Sequence, residues 1–476
     1  MGNAIGDAYG LATEFMSARG AEKLYGNGPI AFGTDPGYPV WEDGHRSIEE
    51  RNDFTDDTDQ MLLLLQSLEQ TKDGRLHPVN FAKKLSEWRR SGFPELGTPA
   101  RGIGYTVGRV MRHPEFDTNP HKAAYDIWNS AGRDLAPNGA IMRTAVTGIE
   151  SFWDEVRVVE NTLAAAKVTH TDPRSVIGAL VSAVLISRIL RGGGCHGEED
   201  RVRVWSSQLK NTDYRQSLLD YFERGTELKG NKSLHPEYEK ETKDTEFKPK
   251  RIHDLNADRR EREALTGEAD YRKQFAGRLP SQWNQDRPEV KLREDIGWVG
   301  IDNVGEDDAI GSLARSVVAD YIFLLRETNL VPSQKPGAPS FQEKWADELE
   351  SHCFPRNMAQ LDLEHIPAIG YAFKCIGVGV YGATRRIDPS PTAPEYQGAK
   401  GLFRGTMEQV TLQAGDADTN AAVMGSILGA RFGLEQGIPT AWWTKLQHLN
   451  WMTETVDLFM DRVLRQYEDH IKSNPQ

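Results

Sequence analysis

Thr55-Asp56-Asp57-Thr58-Asp59-Gln60-Met61-Leu62-Leu63-Leu64-Leu65 sets a tetrad of acids and threonines at the start of a long apolar run. The run reads as a helix from Asp59 to Glu69. Free backbone N–H groups and the helix dipole favour negative charge at such a start. A second stretch repeats the arrangement more than three hundred residues later: Asp416-Ala417-Asp418-Thr419 precedes Ala421-Ala422-Val423-Met424. Brought together in a fold, the two tetrads supply four carboxylates and several hydroxyls. These are the hard oxygen ligands that Mg²⁺, Mn²⁺ or Ca²⁺ require, and they imply a metal-dependent hydrolase. Each tetrad also has a plainer reading. The first suits an N-cap with acids in the first turn. The second imitates the opening of an EF-hand loop, but that loop needs Gly and Glu where Ala421 and Ile427 stand.

Working outward, Asn3 to Ser17 is small and apolar with Gly6 and Gly10 embedded. Glycines inside a helix cost about 1 kcal/mol each relative to alanine, so their expected use is close backbone approach to another helix or a ligand. Asp7 and Glu14, seven apart, are expected on nearly the same helical face. A Gly- and Pro-rich loop from Gly26 to Gly44 leads to the first tetrad. Val79 to Arg90 reads as an amphipathic helix and Gly92 to Gly104 as a glycine-rich turn region. Asn138 is expected to cap a helix that continues through Arg143. Ser175 to Leu190 reads as an apolar helix. Composition shifts at Arg191: residues 192–308 are expected to be a polar insertion, densest in charge from Lys229 to Arg262. Ala309 to Leu325 reads as a helix, Val331 to Pro339 as a linker, Glu364 to Gly433 as core. Trp442 to Tyr467 is expected to form terminal helices within a C-terminal extension, 436–476, with Trp442 and Trp443 as packing residues. Strand-type alternation is scarce, so the chain reads as mainly α and as a single domain over 1–476.

The chain has 476 residues, of which 27% are charged, and a formal net charge of -13. That charge argues against broad nucleic-acid binding. No uninterrupted apolar run approaches the roughly 20 residues that span a bilayer. Met1-Gly2-Asn3-Ala4-Ile5-Gly6-Asp7 lacks a basic leader region, and Gly6 breaks the myristoylation pattern. Cys195, Cys353 and Cys375 are scattered and show neither a disulfide framework nor zinc spacing. They fit a reducing compartment, so a cytoplasmic location is expected. Gly102-Ile103-Gly104 does not open a dinucleotide fingerprint, because Val107 stands where Gly is required and no strand precedes it.

The ordered set Gly6-Asp7-Ala8…Glu14-Phe15, Thr55-Asp56-Asp57-Thr58, Asn138-Gly139-Ala140…Arg143, Thr169-His170, Ala368-Ile369-Gly370-Tyr371 and Gly415-Asp416-Ala417-Asp418-Thr419-Asn420 resembles the ADP-ribosylglycohydrolase family. The resemblance covers roughly residues 1–190 and 360–435. It implies a compact, orthogonal all-α bundle with a charged insertion, and a cleft that holds ADP-ribose beside two Mg²⁺ ions, or Mn²⁺ in their place. By position, Thr55, Asp56, Asp57, Asp416, Asp418 and Thr419 match metal ligands. Glu14 matches an acid near the metals and the substrate ribose. Asn138 and Gly139 match a segment lining the cleft, and His170 a histidine reaching the phosphate or ribose. The family pattern usually has Thr where Ala417 stands. The implied activity is hydrolysis at ribose C1″ of an ADP-ribosylated protein or a small ADP-ribose conjugate, by a monomer that uses neither nucleic acid nor membrane. Asp56 or Asp418 is expected as the base, with Glu14 beside the sugar. A non-catalytic ADP-ribose-binding or crystallin-like protein of the same fold is the alternative. Arg143 is expected to pair with an acid in the core, and Asp7 to support the site from behind.

Overall fold

The structure is a computed structural model and describes residues 1–46, 51–71, 74–192, 209, 211–223, 300–331 and 340–473. Helices account for its regular structure. Among the described residues there are no strands, only isolated bridges such as Pro137 with Tyr371. The architecture is all-α.

The N-terminal helix, Gly2–Gly10, is buried along its whole length. Its glycines recur every fourth residue and therefore share one face. That face lies on the second acid helix, Ala417–Phe432. A Cβ at Gly6 would sit 2.1 Å from the Ala421 carbonyl oxygen, and one at Gly10 would sit 2.3 Å from that of Ala417. The glycines thus serve helix–helix contact, as their spacing suggests.

The first acid helix runs Asp56–Glu69, starting three residues before the apolar periodicity does. Thr55 explains the early start: its hydroxyl accepts from the Asp57 N–H and caps the helix. Against the second acid helix packs the helix Pro173–Leu190, opened by Asp172 as N-cap and by Pro173 in the first turn. It is long and apolar enough to cross a membrane, but 94% of it is buried inside the bundle. Glu155–Lys167 and Ala372–Ala383 flank it.

Asn138 does not cap a helix. Residues 138–143 form turns, and a short 3-10 segment, Thr144–Val146, follows. The Asn138 side chain is instead turned toward Asp416, to which its NH₂ donates, so its oxygen does not lie over the N–H groups that follow. The expected helix over 309–325 is broken at Ile322 into Asp308–Tyr321 and Phe323–Glu327.

Most of the expected 192–308 insertion lies outside the described residues, including Gly193, Gly194, Cys195 and the run from Lys229 to Arg262. Residues 332–339 of the expected linker also lie outside them. Within the 192–308 segment, Thr212–Glu223 is a helix that buries Leu218, Leu219, Tyr221 and Phe222. Lys167 ties it down, donating to the Tyr221 carbonyl at 2.9 Å. Near the C-terminus, Trp442 is 1% exposed and stacks on Tyr9 at 4.6 Å, so it is packing rather than platform. The last helix is Leu449–Ser473.

Candidate active site

The N-terminal helix ends at Gly10 and a 3-10 turn, Leu11–Thr13, follows. Glu14 is therefore extended and does not share a helical face with Asp7. Its position is set by a two-way backbone bridge. Phe15 N–H donates to the Gly415 carbonyl at 2.6 Å, and Gly415 N–H donates to Met16 at 3.1 Å. Gly415 has φ +73°, and a Cβ there would lie 2.2 Å from the Leu363 carbonyl oxygen, so only glycine fits. The bridge holds Glu14 beside the start of the second acid helix. Glu14, Asp416 and Asp418 each place a carboxylate oxygen within 4.8 Å of the others, and all three are buried.

Asp7 joins the N-terminal helix to the first tetrad. It accepts from the hydroxyls of Thr55 at 2.9 Å and Thr58 at 2.6 Å, and from both of their backbone N–H groups. Thr55, expected as a ligand, gives its one hydroxyl proton to Asp7. Asp56 accepts from the Gln60 amide at 2.6 Å. Gly102, in the glycine-rich turn, passes so close that a Cβ would be 2.6 Å from Asp56 Oδ1. Thr419 lies beside both halves: its hydroxyl favours the ionised forms of Asp57 and Asp416, against the upward push of burial. The two tetrads thus meet around the Thr419 hydroxyl.

Burial pushes the carboxyls of Asp7, Asp56, Asp57, Asp416 and Asp418 up. Asp7 rises to about 7 and Asp416 to about 6, mainly through loss of water, with the Glu14 charge adding at Asp416. Asp56, Asp57 and Asp418 lie well above the usual carboxylate range for the same first reason, reinforced by neighbouring acids. Such a cluster holds either protons or cations. Asp57 Oδ1 and Asp418 Oδ1 are buried and have no hydrogen-bond partner among the described residues. Buried oxygens without partners, together with aspartate charges that no lysine or arginine side chain contacts directly among the described residues, fit a divalent-cation site. Carboxylate and hydroxyl donors suit Mg²⁺ or Mn²⁺.

The remaining expected residues surround this cluster. Asn138 donates its amide to Asp416 Oδ2 at 2.6 Å, and its backbone N–H donates to Gly370 at 2.9 Å. Gly139 lies on His170: a Cβ there would be 3.0 Å from the ring Cε1. His170 is 2% exposed, and burial, then the Arg143 charge, holds it well below its usual range. Three residues were not singled out from sequence. His45 pairs with Glu14 at 2.6 Å, and the Glu14 charge raises its imidazole above the usual range. Arg46 donates to the Ala12 carbonyl at 2.9 Å and to the Glu14 carbonyl. Both lie just past a loop with no periodicity to mark them. Gln60 follows Asp56 by four, and that helical spacing was the available signal.

The family model described as ADP-ribosylglycohydrolase matches residues 1–283 and 305–470, and the chain belongs to that family. An uncharacterised protein of Archaeoglobus fulgidus is 28% identical over 191 residues, 39% of this chain and 53% of that one. The ADP-ribosyl-[dinitrogen reductase] glycohydrolase of Rhodospirillum rubrum is 27% identical over 206 residues, 42% of this chain and 61% of that one. The matched regions thus span between about half and three-fifths of these relatives' lengths. A solved chain titled ADP-ribosylglycohydrolase-related protein complex aligns over 97% of this chain and 95% of its own, at 18% identity and TM-score 0.44.

Proposed function

We propose that the protein is a metal-dependent hydrolase that releases ADP-ribose from a protein side chain or a small conjugate by cleaving the bond at ribose C1″. What supports the reading most is one observation: buried carboxylates from opposite ends of the chain meet, with two oxygens left unpartnered. When bound by Asp56, Asp57, Asp416 and Asp418 with Thr55 and Thr419, two Mg²⁺ or Mn²⁺ ions would hold ribose hydroxyls and lower the pKa of a water.

The protein's own groups carry the rest. Asp56 or Asp418 takes the proton from the attacking water. The water oxygen bonds to C1″ as the bond to the departing nitrogen or oxygen breaks, and the departing atom gains a proton. Positive charge grows on the sugar as that bond lengthens. Glu14 and the surrounding carboxylates stabilise it where they stand, since hydrogen bonds already fix their orientation. Asn138 holds Asp416 in place. Gly139 keeps the space beside His170 clear of a side chain.

Arginine-linked and serine-linked ADP-ribosyl proteins, incubated with the enzyme and Mg²⁺, test the reading. Free ADP-ribose should appear with at least one linkage and disappear when EDTA is added. Binding of ADP-ribose without turnover of either linkage would favour the non-catalytic alternative and overturn this one.

A further inference from the structure

Arg143 is 0% exposed and lies between Gln60 and Thr169. Its Nη1 donates to Gln60 Oε1 at 2.8 Å, and its Nη2 donates to Thr169 Oγ1 at 2.5 Å. Thr169 Oγ1 in turn lies 2.7 Å from His170 Nδ1. A guanidinium has donors and no acceptor. The direction of every hydrogen bond leading away from it is therefore determined.

We infer that Arg143, acting through Thr169, fixes His170 as a neutral imidazole with its proton on Nε2, so that His170 serves the ligand as a hydrogen-bond donor. Arg143 occupies a lone pair of the Thr169 hydroxyl, so that hydroxyl must accept there. A second lone pair remains, but among the described residues the hydroxyl's only other partner is His170 Nδ1, so its single proton goes there. A ring nitrogen that accepts is bare, and a neutral imidazole with a bare Nδ1 carries its proton on Nε2. Burial and the nearby Arg143 charge both disfavour the imidazolium, which agrees with this assignment.

His170 Nε2 is buried and has no hydrogen-bond partner among the described residues. The ring lies against Gly139, where a Cβ would come within 3.2 Å of Nε2. An N–H left without an acceptor in such a place calls for an oxygen from a bound molecule. In the proposed reaction that oxygen belongs to the phosphate or ribose of ADP-ribose, and this part of the inference rests on that reading. The other arm of Arg143 works in the same way. Gln60 must turn its carbonyl to Arg143, which aims its NH₂ at Asp56 Oδ2. Arg143, Gln60 and Thr169 are positioning residues: none of them reaches the reacting atoms.

Nitrogen chemical shifts of ¹⁵N-labelled histidine rings, with His170 assigned through a His170→Gln variant, test the tautomer in the free protein at neutral pH. A protonated Nε2 and a bare Nδ1 are expected. Thr169→Val keeps the shape and removes the hydroxyl. It should give shifts averaged between the two tautomers and raise KM roughly five- to ten-fold with a smaller change in kcat. Thr169→Ser should restore both readouts. Arg143→Lys should blur the tautomer as Thr169→Val does, and if that variant fails to fold, Thr169→Val decides. A proton on Nδ1 in the free protein, or Thr169→Val shifts indistinguishable from wild type, would overturn the inference. The shifts are read without substrate, so a correct tautomer in a protein that releases no ADP-ribose would count against the proposed function and leave the tautomer standing.

Discussion

Asp418 sits among Glu14, Asp57 and Asp416, and its Oδ1 finds no donor. Asp418→Asn removes one of several buried like charges and supplies an amide that can donate to its neighbours. The metal-free variant should therefore unfold at a higher temperature than metal-free wild type, while hydrolysis falls by about 100-fold or more. Differential scanning calorimetry in EDTA checks the first half and the hydrolysis assay the second. The two tetrads could be read from sequence because their acids and threonines are contiguous and stand before apolar runs. Gln60, Arg143 and His45 could not be read as a network, because each is a lone polar residue whose partner lies in a different segment. Arg143 pairs with no acid directly: it meets Gln60 and Thr169, and Asp56 affects it only through charge. Burial lowers the Arg143 guanidinium to about 9, a sign of how completely it is removed from water.

The contact between the Gly2–Gly10 and Ala417–Phe432 helices carries the geometry of the whole site, because Asp7, Glu14, Asp416 and Asp418 all sit on it or beside it. Gly6→Ala would put a methyl 2.1 Å from the Ala421 carbonyl oxygen and 2.4 Å from its carbon. Neither partner is a flexible side chain, so the helices must separate. A loss of about 1–3 kcal/mol is expected in urea unfolding, with weaker metal binding. Gly104→Ala is the control: nothing lies within 4 Å of a Cβ there, and its cost should stay below about 1 kcal/mol. The glycine spacing announced a close contact but not its partner, since periodicity describes one helix at a time. The Asn138 cap failed for a related reason. Asn before a run of apolar residues suits a cap, but an acid from the far end of the chain accepts from its NH₂ and turns the side chain away from the following N–H groups.

Glu155 shows how the rest of the molecule is held together away from the acid cluster. It accepts from Arg188 at 2.7 and 3.0 Å, from Arg191 at 2.6 Å and from the Tyr321 hydroxyl at 2.7 Å. Burial alone would raise its carboxyl; the Arg188 bonds and charge, then Arg191, outweigh burial and hold it down to about 2. A carboxyl depressed in the folded state stabilises fully above its unfolded value and loses that contribution as pH falls through the folded one. The gap in unfolding free energy between wild type and Glu155→Gln should be about 3 kcal/mol at pH 7 and shrink between roughly pH 4.5 and pH 2. A gap that stays constant down to pH 2.5 would contradict the assignment. The central claim concerns the acid cluster, where acids from both ends of the chain meet. Equilibrium binding of Mn²⁺ to metal-stripped protein, followed by calorimetry, tests it most directly. Wild type should take up two ions and melt at a higher temperature once loaded, while Asp418→Asn should lose at least one. Wild-type protein that binds no Mn²⁺ at millimolar concentration, or an Asp418→Asn variant that binds it as wild type does, would contradict the account.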